Sequence, residues 1–308
     1  MDDPVRAHRH SHAHDMSDLS GKKIFSVTVL NAVITLAEII GGIVSGSLAL
    51  LSDALHNLSD TAAIALSFFA YKIAQRPADI KRTFGYKRAE ILTAFINSAI
   101  LFAISLVLIF EAIRRWMSPE LINGTLMITV ALIGLIANIV SVLLLKKNSQ
   151  DSLNIKSSYL HLLSDTISSI GVFIGGVAIK LWGIVWIDPL ITVLISIYIL
   201  RETGLVIKKA VDILMQSSPV LDYEAIKRDI EKSEKIKNIH HVHSWMSDEK
   251  TIYFEAHIEM EDILLSDAEK VCDEIEQLLK ERWGISHITL QAEVNKCCDK
   301  NLFQSGNI

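Results

Sequence analysis

The stretch ILTAFINSAILFAISLVLIFEAI, from Ile91 to Ile113, holds a single charged side chain, Glu111, in 23 residues. A helix that crosses the hydrocarbon of a bilayer needs about 20 apolar residues, so this stretch is long enough. Working outward, five more segments have the same character: Phe25 to Ser45, Ser47 to Tyr71, Leu121 to Leu145, Ser158 to Lys180 and Val185 to Ile207. Together they predict a multi-pass α-helical membrane domain of six transmembrane helices over residues 24–210. The composition agrees. Half of the 308 residues are hydrophobic and mean hydropathy is +0.36, too apolar for an ordinary soluble chain of this length. Residues 1–23 are polar and interleaved with His8, His10, His12 and His14, which reads as a disordered metal-gathering tail. No short apolar core with a small-residue cleavage site precedes the first long run, so that run is expected to stay in the membrane.

Six spans put both termini on one side, and basic residues decide which. Cytoplasmic loops collect Lys and Arg within about 15–20 residues of the helix ends. Lys22, Lys23, Lys72, Arg76, Lys81, Arg82, Lys87, Arg88, Lys146, Lys147, Lys156, Lys208 and Lys209 all fall on one face. The opposite loops, around Gly46 and Gly183, are short and hold only Arg114, Arg115 and Lys180. The N- and C-termini are therefore expected in the cytoplasm.

After Ser218-Pro219 the pattern becomes soluble. Tyr223 to Lys235 reads as an amphipathic helix, His240 to Trp245 and Thr251 to Met260 as strands, Ser266 to Arg282 as a helix and Ile285 to Val294 as a strand. This αββαβ order predicts a small cytoplasmic α+β, ferredoxin-like domain over 211–296, with two helices on one face of a three-stranded sheet. Residues 297–308 form a C-terminal tail. Cys272, Cys297 and Cys298 imply no disulfide framework. With a net charge of −5 and a pI near 6.1, nothing suggests a nucleic-acid partner.

Two spans carry chemistry. The second contains His56-Asn57-Leu58-Ser59-Asp60 and the fifth His161-Leu162-Leu163-Ser164-Asp165, both H-x-x-x-D. Residues four apart share a helix face, so each span presents one imidazole beside one carboxylate. Two such helices facing each other supply two nitrogens and two oxygens, the ligand set of a tetrahedral zinc site. No thiolate favours copper(I), and the oxygens are too few for calcium or magnesium. The plainer alternative is a pair of interior polar contacts that hold the bundle together. Against it stands the cost of ionisable groups at membrane depth, about 2.5–3.5 kcal/mol for Asp on insertion scales, and the repetition of the motif. Asn31, Glu38, Asp53 and Asn138 read either as an approach path or as helix-to-helix hydrogen bonds.

A metal and protons compete for the same His and Asp atoms, because ligands give up protons before binding. Facing a neutral cytoplasm the four groups take zinc; facing a more acidic exterior, protonation of His56 and His161 releases it. Alternating access would move the two helices against the rest of the bundle. In the C-terminal domain His240, His241, His243, His257 and His287 lie in or beside predicted strands. Some of them could converge on a second metal with Glu293 or with Cys297 and Cys298; single surface histidines are the plainer reading.

The two H-x-x-x-D motifs, the run Gly46-Ser47-Leu48-Ala49-Leu50-Leu51-Ser52-Asp53-Ala54, the segment Phe84-Gly85-Tyr86-Lys87-Arg88-Ala89-Glu90 and Trp186-Ile187-Asp188-Pro189 closely resemble the cation diffusion facilitator family over nearly the whole chain. Within it the sequence is most similar to the bacterial cobalt-zinc-cadmium resistance type of zinc transporter. That branch carries patterns like His240-x-x-His243-x-Trp245 and His287-x-Thr289-Leu290-Gln291-x-Glu293 in its cytoplasmic domain. The resemblance implies a homodimer, proton-coupled efflux and a metallochaperone-like cytoplasmic domain. It places the transport ligands at His56, Asp60, His161 and Asp165, and cytoplasmic ligands at His243, His257 and Glu293. Some members bind another metal in the loop between spans two and three with an Asp and two His; here Asp79 is present, but Arg82 and Tyr86 stand at the other two positions. The interval from Lys146 to Ser157 lacks the long His-rich loop of many eukaryotic vesicular members, which favours a bacterial plasma (inner) membrane. His at position 56, where some bacterial relatives have Asp, resembles the zinc-selective pattern rather than the cadmium one.

The expected protein is thus a secondary active transporter, a divalent cation/proton antiporter, and not an enzyme. Its substrate is Zn2+, which also serves as a cytoplasmic-domain ligand; its partners are protons, the lipid bilayer and a second copy. A metallohydrolase would need a general base beside an open metal position, typically His-Glu-x-x-His, which does not occur. A sensor would not need the paired intramembrane motifs. A channel or importer, and manganese, iron or cobalt as substrates, stay open on sequence.

Overall fold

The computed structural model describes residues 29, 31–146, 153–296 and 301–303. The tail 1–23 with its four histidines, most of the first expected span before Asn31, residues 147–152, Cys297 and Cys298, and residues 304–308 lie outside the described residues. The chain runs through α1 (Asn31–Ser45), α2 (Leu48–Ala74), α3 (Arg88–Met117), α4 (Gly124–Lys146), α5 (Leu153–Trp182) and α6 (Ile187–Leu214). It then forms α7 (Tyr223–Ile230), β1 (Ile236–Met246), β2 (Ile252–Met260), α8 (Leu265–Trp283) and β3 (His287–Glu293).

Helices α3, α4, α5 and α6 are long and apolar enough to cross a membrane. Helix α2, at 27 residues, is also long enough, about 40 Å at 1.5 Å per residue, but Asp53, His56, Asn57 and Asp60 dilute its apolar content. Large apolar side chains such as Val107, Phe110, Ile133, Ile174 and Leu194 are exposed, as on faces whose solvent is lipid. The buried positions between helices carry small polar residues, among them Ser105, Ser141, Thr166 and Ser196, which let helices approach closely.

The residues fall into two compact units: the first comprises positions up to Leu66 with Asn97–Gly204, the second Ser67–Ile96 with Leu205–Ile308. In the first unit, Ala49 and Leu50 of α2 pack with Met127 and Ala131 of α4 and Val172 and Ile179 of α5. The start of α2 is pinned from two directions. Gly46, at φ +75°, makes the left-handed turn out of α1 that a residue with a Cβ adopts only with strain. Asp188 of α6 then caps α2 from far along the chain, accepting from Ser47 Oγ at 2.5 Å, Leu48 N at 2.9 Å and Ala49 N at 3.2 Å. These satisfy backbone donors that a helix start leaves without partners. Arg115 of α3 donates to the Gly46 carbonyl. The start of α2 is thereby tied to α6 and α3.

In the second unit, Asp222 caps α7 by accepting from Ala225 N at 3.0 Å. The helix ends at Ile230 rather than Lys235, because the chain turns through Ser233 and Ile236 is already paired with Met260 at the start of β1. Strand β1 pairs antiparallel with β2, and β2 parallel with β3, with α8 as the crossover that a parallel pair requires. Ile226 and Ile230 of α7 and Val271, Ile275 and Leu279 of α8 share one core with Ile239, Phe254, Ala256 and Ile258 of the sheet. The opposite face of β2 carries Tyr253, Glu255, His257 and Glu259. The segment after α2 packs on the β1–β2 end of the sheet: Phe84 sits edge-on to Tyr253 (5.2 Å) and Trp245 (6.5 Å), and Lys87 donates to Thr251 Oγ1 at 2.9 Å.

Candidate metal centres

The i, i+4 spacing does on each helix what a 3.6-residue period requires, and packing brings the two pairs together. His56 Nε2 lies 3.6 Å from Asp60 Oδ2 within α2 and 3.5 Å from Asp165 Oδ1 of α5. The ligand atoms of His56, Asp60 and Asp165 all lie within 4.8 Å of one another. His161 stands just outside that group, with Nε2 3.0 Å from Asp60 Oδ2 and 3.7 Å from Asp165 Oδ2, the oxygen that does not face His56. A tetrahedral zinc ion with ligands at about 2.0–2.1 Å separates neighbouring ligand atoms by about 3.3 Å. The four separations bracket that value.

The environment is uneven. The side chains of Asp165 and His56 are 4% and 11% exposed, whereas His161 is 45% exposed. One flank of the site is therefore closed and the other open. His56 Nδ1 and Asp165 Oδ1 are buried with no hydrogen-bond partner among the described residues. Tyr198 of α6 stands edge-on to His56, ring centroids 6.4 Å apart. A cavity of about 360 Å³ opens beside it, lined by Ser164, Ser168, Ile191 and Tyr198 among others. Among the described residues no Lys or Arg pairs with Asp60 or Asp165, so the two carboxylates have only the imidazoles as neighbouring cations.

A second polar tier lies one turn nearer the Gly46 end of α2. Asp53 accepts from Ser168 Oγ at 2.7 Å and Ser169 Oγ at 3.0 Å, and Asn138 of α4 donates to Ser169 Oγ at 3.0 Å. Asn57 donates to Glu38 Oε2 at 3.2 Å. Sequence reading singled out Glu38, Asp53 and Asn138 but missed Ser168, Ser169 and Tyr198. The two serines follow Asp165 by three and four positions, so the same helical spacing that selected the tetrad was their available signal.

The C-terminal sheet gathers His240, His257 and Glu293, one from each strand, on the face away from the helices. His240 Nε2 is 3.6 Å from Glu293 Oε2, and His257 Nδ1 is 2.9 Å from Glu293 Oε1 but lacks the alignment of a hydrogen bond. Both nitrogens of His240 and Glu293 Oε2 are likewise buried without hydrogen-bond partners among the described residues. Converging, unpartnered donor atoms of this kind fit a metal ion. Burial holds the His257 imidazole below its ordinary value, with Glu293 pulling it up and His241 and His240 pushing it down. A neutral ring is the form that ligates a metal.

The arrangement of β1 explains which histidines meet. His240 faces His257 and His243 faces Glu255, so β1 spends one more residue than β2 between these pairs, and His241 sits at φ +53°. The bulge stacks His241 on His257, centroids 4.5 Å apart at 10°, with His243 next to His241 at 4.9 Å. His243 thus stands behind His241 rather than in the three-residue cluster. His287 is opposite Tyr253 at the far end of β3, six residues or about 20 Å from Glu293, and its ring packs on Tyr253. The structure does not bring it to the cluster. In the loop after α2, Asp79 accepts from Tyr86 Oη at 2.5 Å and from the amides of Lys81 and Arg82. The Tyr86 bond first, then those amides, hold its carboxyl below the usual range.

Two sequence families match the chain. The cation efflux transmembrane domain matches residues 24–215, and the cytoplasmic domain of cation efflux proteins matches residues 219–295. The chain is 36% identical to the metal cation efflux system protein CzcD of Cupriavidus metallidurans over 287 residues, 93% of this chain and 90% of that one. It is 36% identical to the zinc transporter ZitB of Escherichia coli over 296 residues, 94% of each chain. It is also 36% identical, over 91% of each chain, to a cadmium, cobalt and zinc/H(+)-K(+) antiporter of Bacillus subtilis.

Proposed function

The chain belongs to the cation efflux family, the cation diffusion facilitators, and from that membership we propose that it exports zinc from the cytoplasm in exchange for protons through His56, Asp60, His161 and Asp165. It is a cation transporter rather than an enzyme. The observation that carries the finer reading is the meeting of four side chains between α2 and α5, whose nitrogen-to-oxygen separations of 3.0–3.7 Å suit a tetrahedral ion. Each ligand binds metal only in its deprotonated form, so protons and zinc exclude one another at the same atoms. The open flank at His161 supplies an entry, and the fixed start of α2 at Asp188 gives the helix a point about which to rearrange.

In this reading residues 24–210 form the transmembrane domain and 211–296 the cytoplasmic one, with tails on both sides and both termini in the cytoplasm of a bacterial cell, in its inner membrane. The one-sided placement of Lys72 to Arg88 and of Lys208 and Lys209 supports that orientation. Two copies pair through the cytoplasmic domain, consistent with the family to which that domain belongs. His240, His257 and Glu293 hold a second zinc there, with His241 and His243 beside them; zinc at this position stabilises the sheet and senses supply, and does not cross the membrane.

The test is metal-driven proton movement in proteoliposomes that hold the purified protein and a pH-sensitive dye. Zinc should drive proton flux in the wild type and none in Asp60→Ala. A folded wild type that moves zinc without protons would point to a channel instead.

A further inference from the structure

Glu38 stands out among the groups that the zinc site does not use. It lies in the middle of α1, 1% exposed, and accepts one hydrogen bond, from Asn57. Its other oxygen, Oε1, is buried with no hydrogen-bond partner among the described residues, as are Asn57 Oδ1 and Thr35 Oγ1. Room for that carboxylate exists because position 134 of α4 is glycine; a Cβ there would meet Glu38 Oε1 at 1.9 Å. The charged groups that act on Glu38 are Asp53 of α2 and Asp165 of α5, both acidic, and among the described residues no Lys, Arg or His pairs with it. An ionised carboxylate so buried has no counter-charge among the described residues, and groups in that position neutralise rather than stay charged. With Asp53, Asp60 and Asp165, Glu38 makes four carboxylates in and beside the tetrad, twice what one divalent ion balances.

We propose that Glu38 carries a second exchangeable proton, lost to water when zinc enters the neighbouring tetrad and regained when zinc leaves. This rests on the transport reading above and adds a group to it. The arriving double positive charge makes the carboxylate form of Glu38 tolerable, and the departing charge makes it intolerable again, so zinc and this proton displace each other without sharing a ligand atom. The Asn57 bond holds Glu38 against the residue next to His56, which ties its state to the site.

The test counts protons released per zinc bound, by calorimetric titration of the full-length protein in buffers of different ionisation enthalpy. Glu38→Gln should still bind zinc and release up to one proton fewer per ion than the wild type, and Glu38→Asp should restore the wild-type count. Infrared difference spectra of wild type with 13C-labelled glutamate give a measurement free of any variant: zinc should remove a protonated glutamic acid band. A wild type that releases no protons would remove the transport reading and this inference together. A wild type that releases protons, with an unchanged count in Glu38→Gln or no glutamic acid band, overturns the Glu38 assignment alone. An unchanged count joined by loss of a potassium dependence also overturns it, in favour of an alkali cation at Glu38.

Discussion

The tetrad between α2 and α5 and the His240–His257–Glu293 cluster use similar ligands, yet they are built in different ways. Each helix of the first carries its His and Asp one turn apart, so a regular period places four candidate ligands and the sequence motif appears twice. The second takes one residue from each of three strands, and its shape depends on a bulge at His241. Helical periodicity is written in the spacing of the residues; a bulge is a local break in a period, and spacing conceals it. The functional expectation also differs. Loss of a transported ion's ligand stops the cycle, whereas loss of a resident ion's ligand only weakens the domain around it.

The largest effect tests that division directly. Asp165→Ala should lower zinc transport in vesicles by about 100-fold or more, beyond the 10–100-fold typical of residues that merely support a ligand, while size-exclusion profiles stay those of the wild type. His257→Ala should reduce transport only about threefold and abolish zinc-dependent thermal stabilisation of the C-terminal domain. Equal losses from both variants would erase the distinction.

Asp188→Ala should fall between them. It removes the acceptor for Ser47, Leu48 and Ala49 at the start of α2, a loss of about 1–2 kcal/mol by comparison with other helix caps. Lower melting temperature with reduced transport and near-normal zinc affinity is expected, since the ligands remain while their helix loosens. A much weaker affinity with unchanged melting would instead make Asp188 a ligand.

The smallest effect concerns Asp248, which faces Lys87 at 3.9 Å. Burial raises this carboxyl, but the amides of Lys250 and Thr251, the Thr251 hydroxyl and Lys87 outweigh it and hold it below its ordinary value. A depressed folded value stabilises above the unfolded value, about 3.9, and is lost as pH falls through the folded one. Melting curves from pH 7 downward should show a contribution under about 1 kcal/mol that fades below about pH 4 and is missing in Asp248→Asn.

How much of this was legible follows from which residues act through local spacing. The apolar runs disclosed the long helices and the two H-x-x-x-D motifs disclosed the tetrad, because both signals repeat within one element. The cap of α2 by Asp188 joins positions 140 apart in sequence, and no local pattern marks it. The serines on Asp53 carried the right spacing but no distinctive chemistry. His287 shared a strand with Glu293 and looked equivalent to it, but the two stand at opposite ends of β3, about 20 Å apart.

The most direct measurement is anomalous scattering at the zinc edge from the zinc-loaded protein. The account predicts a peak between α2 and α5 within about 2.0–2.2 Å of one atom each of His56, Asp60, His161 and Asp165. Zinc bound in the C-terminal sheet with no peak between those helices would contradict it.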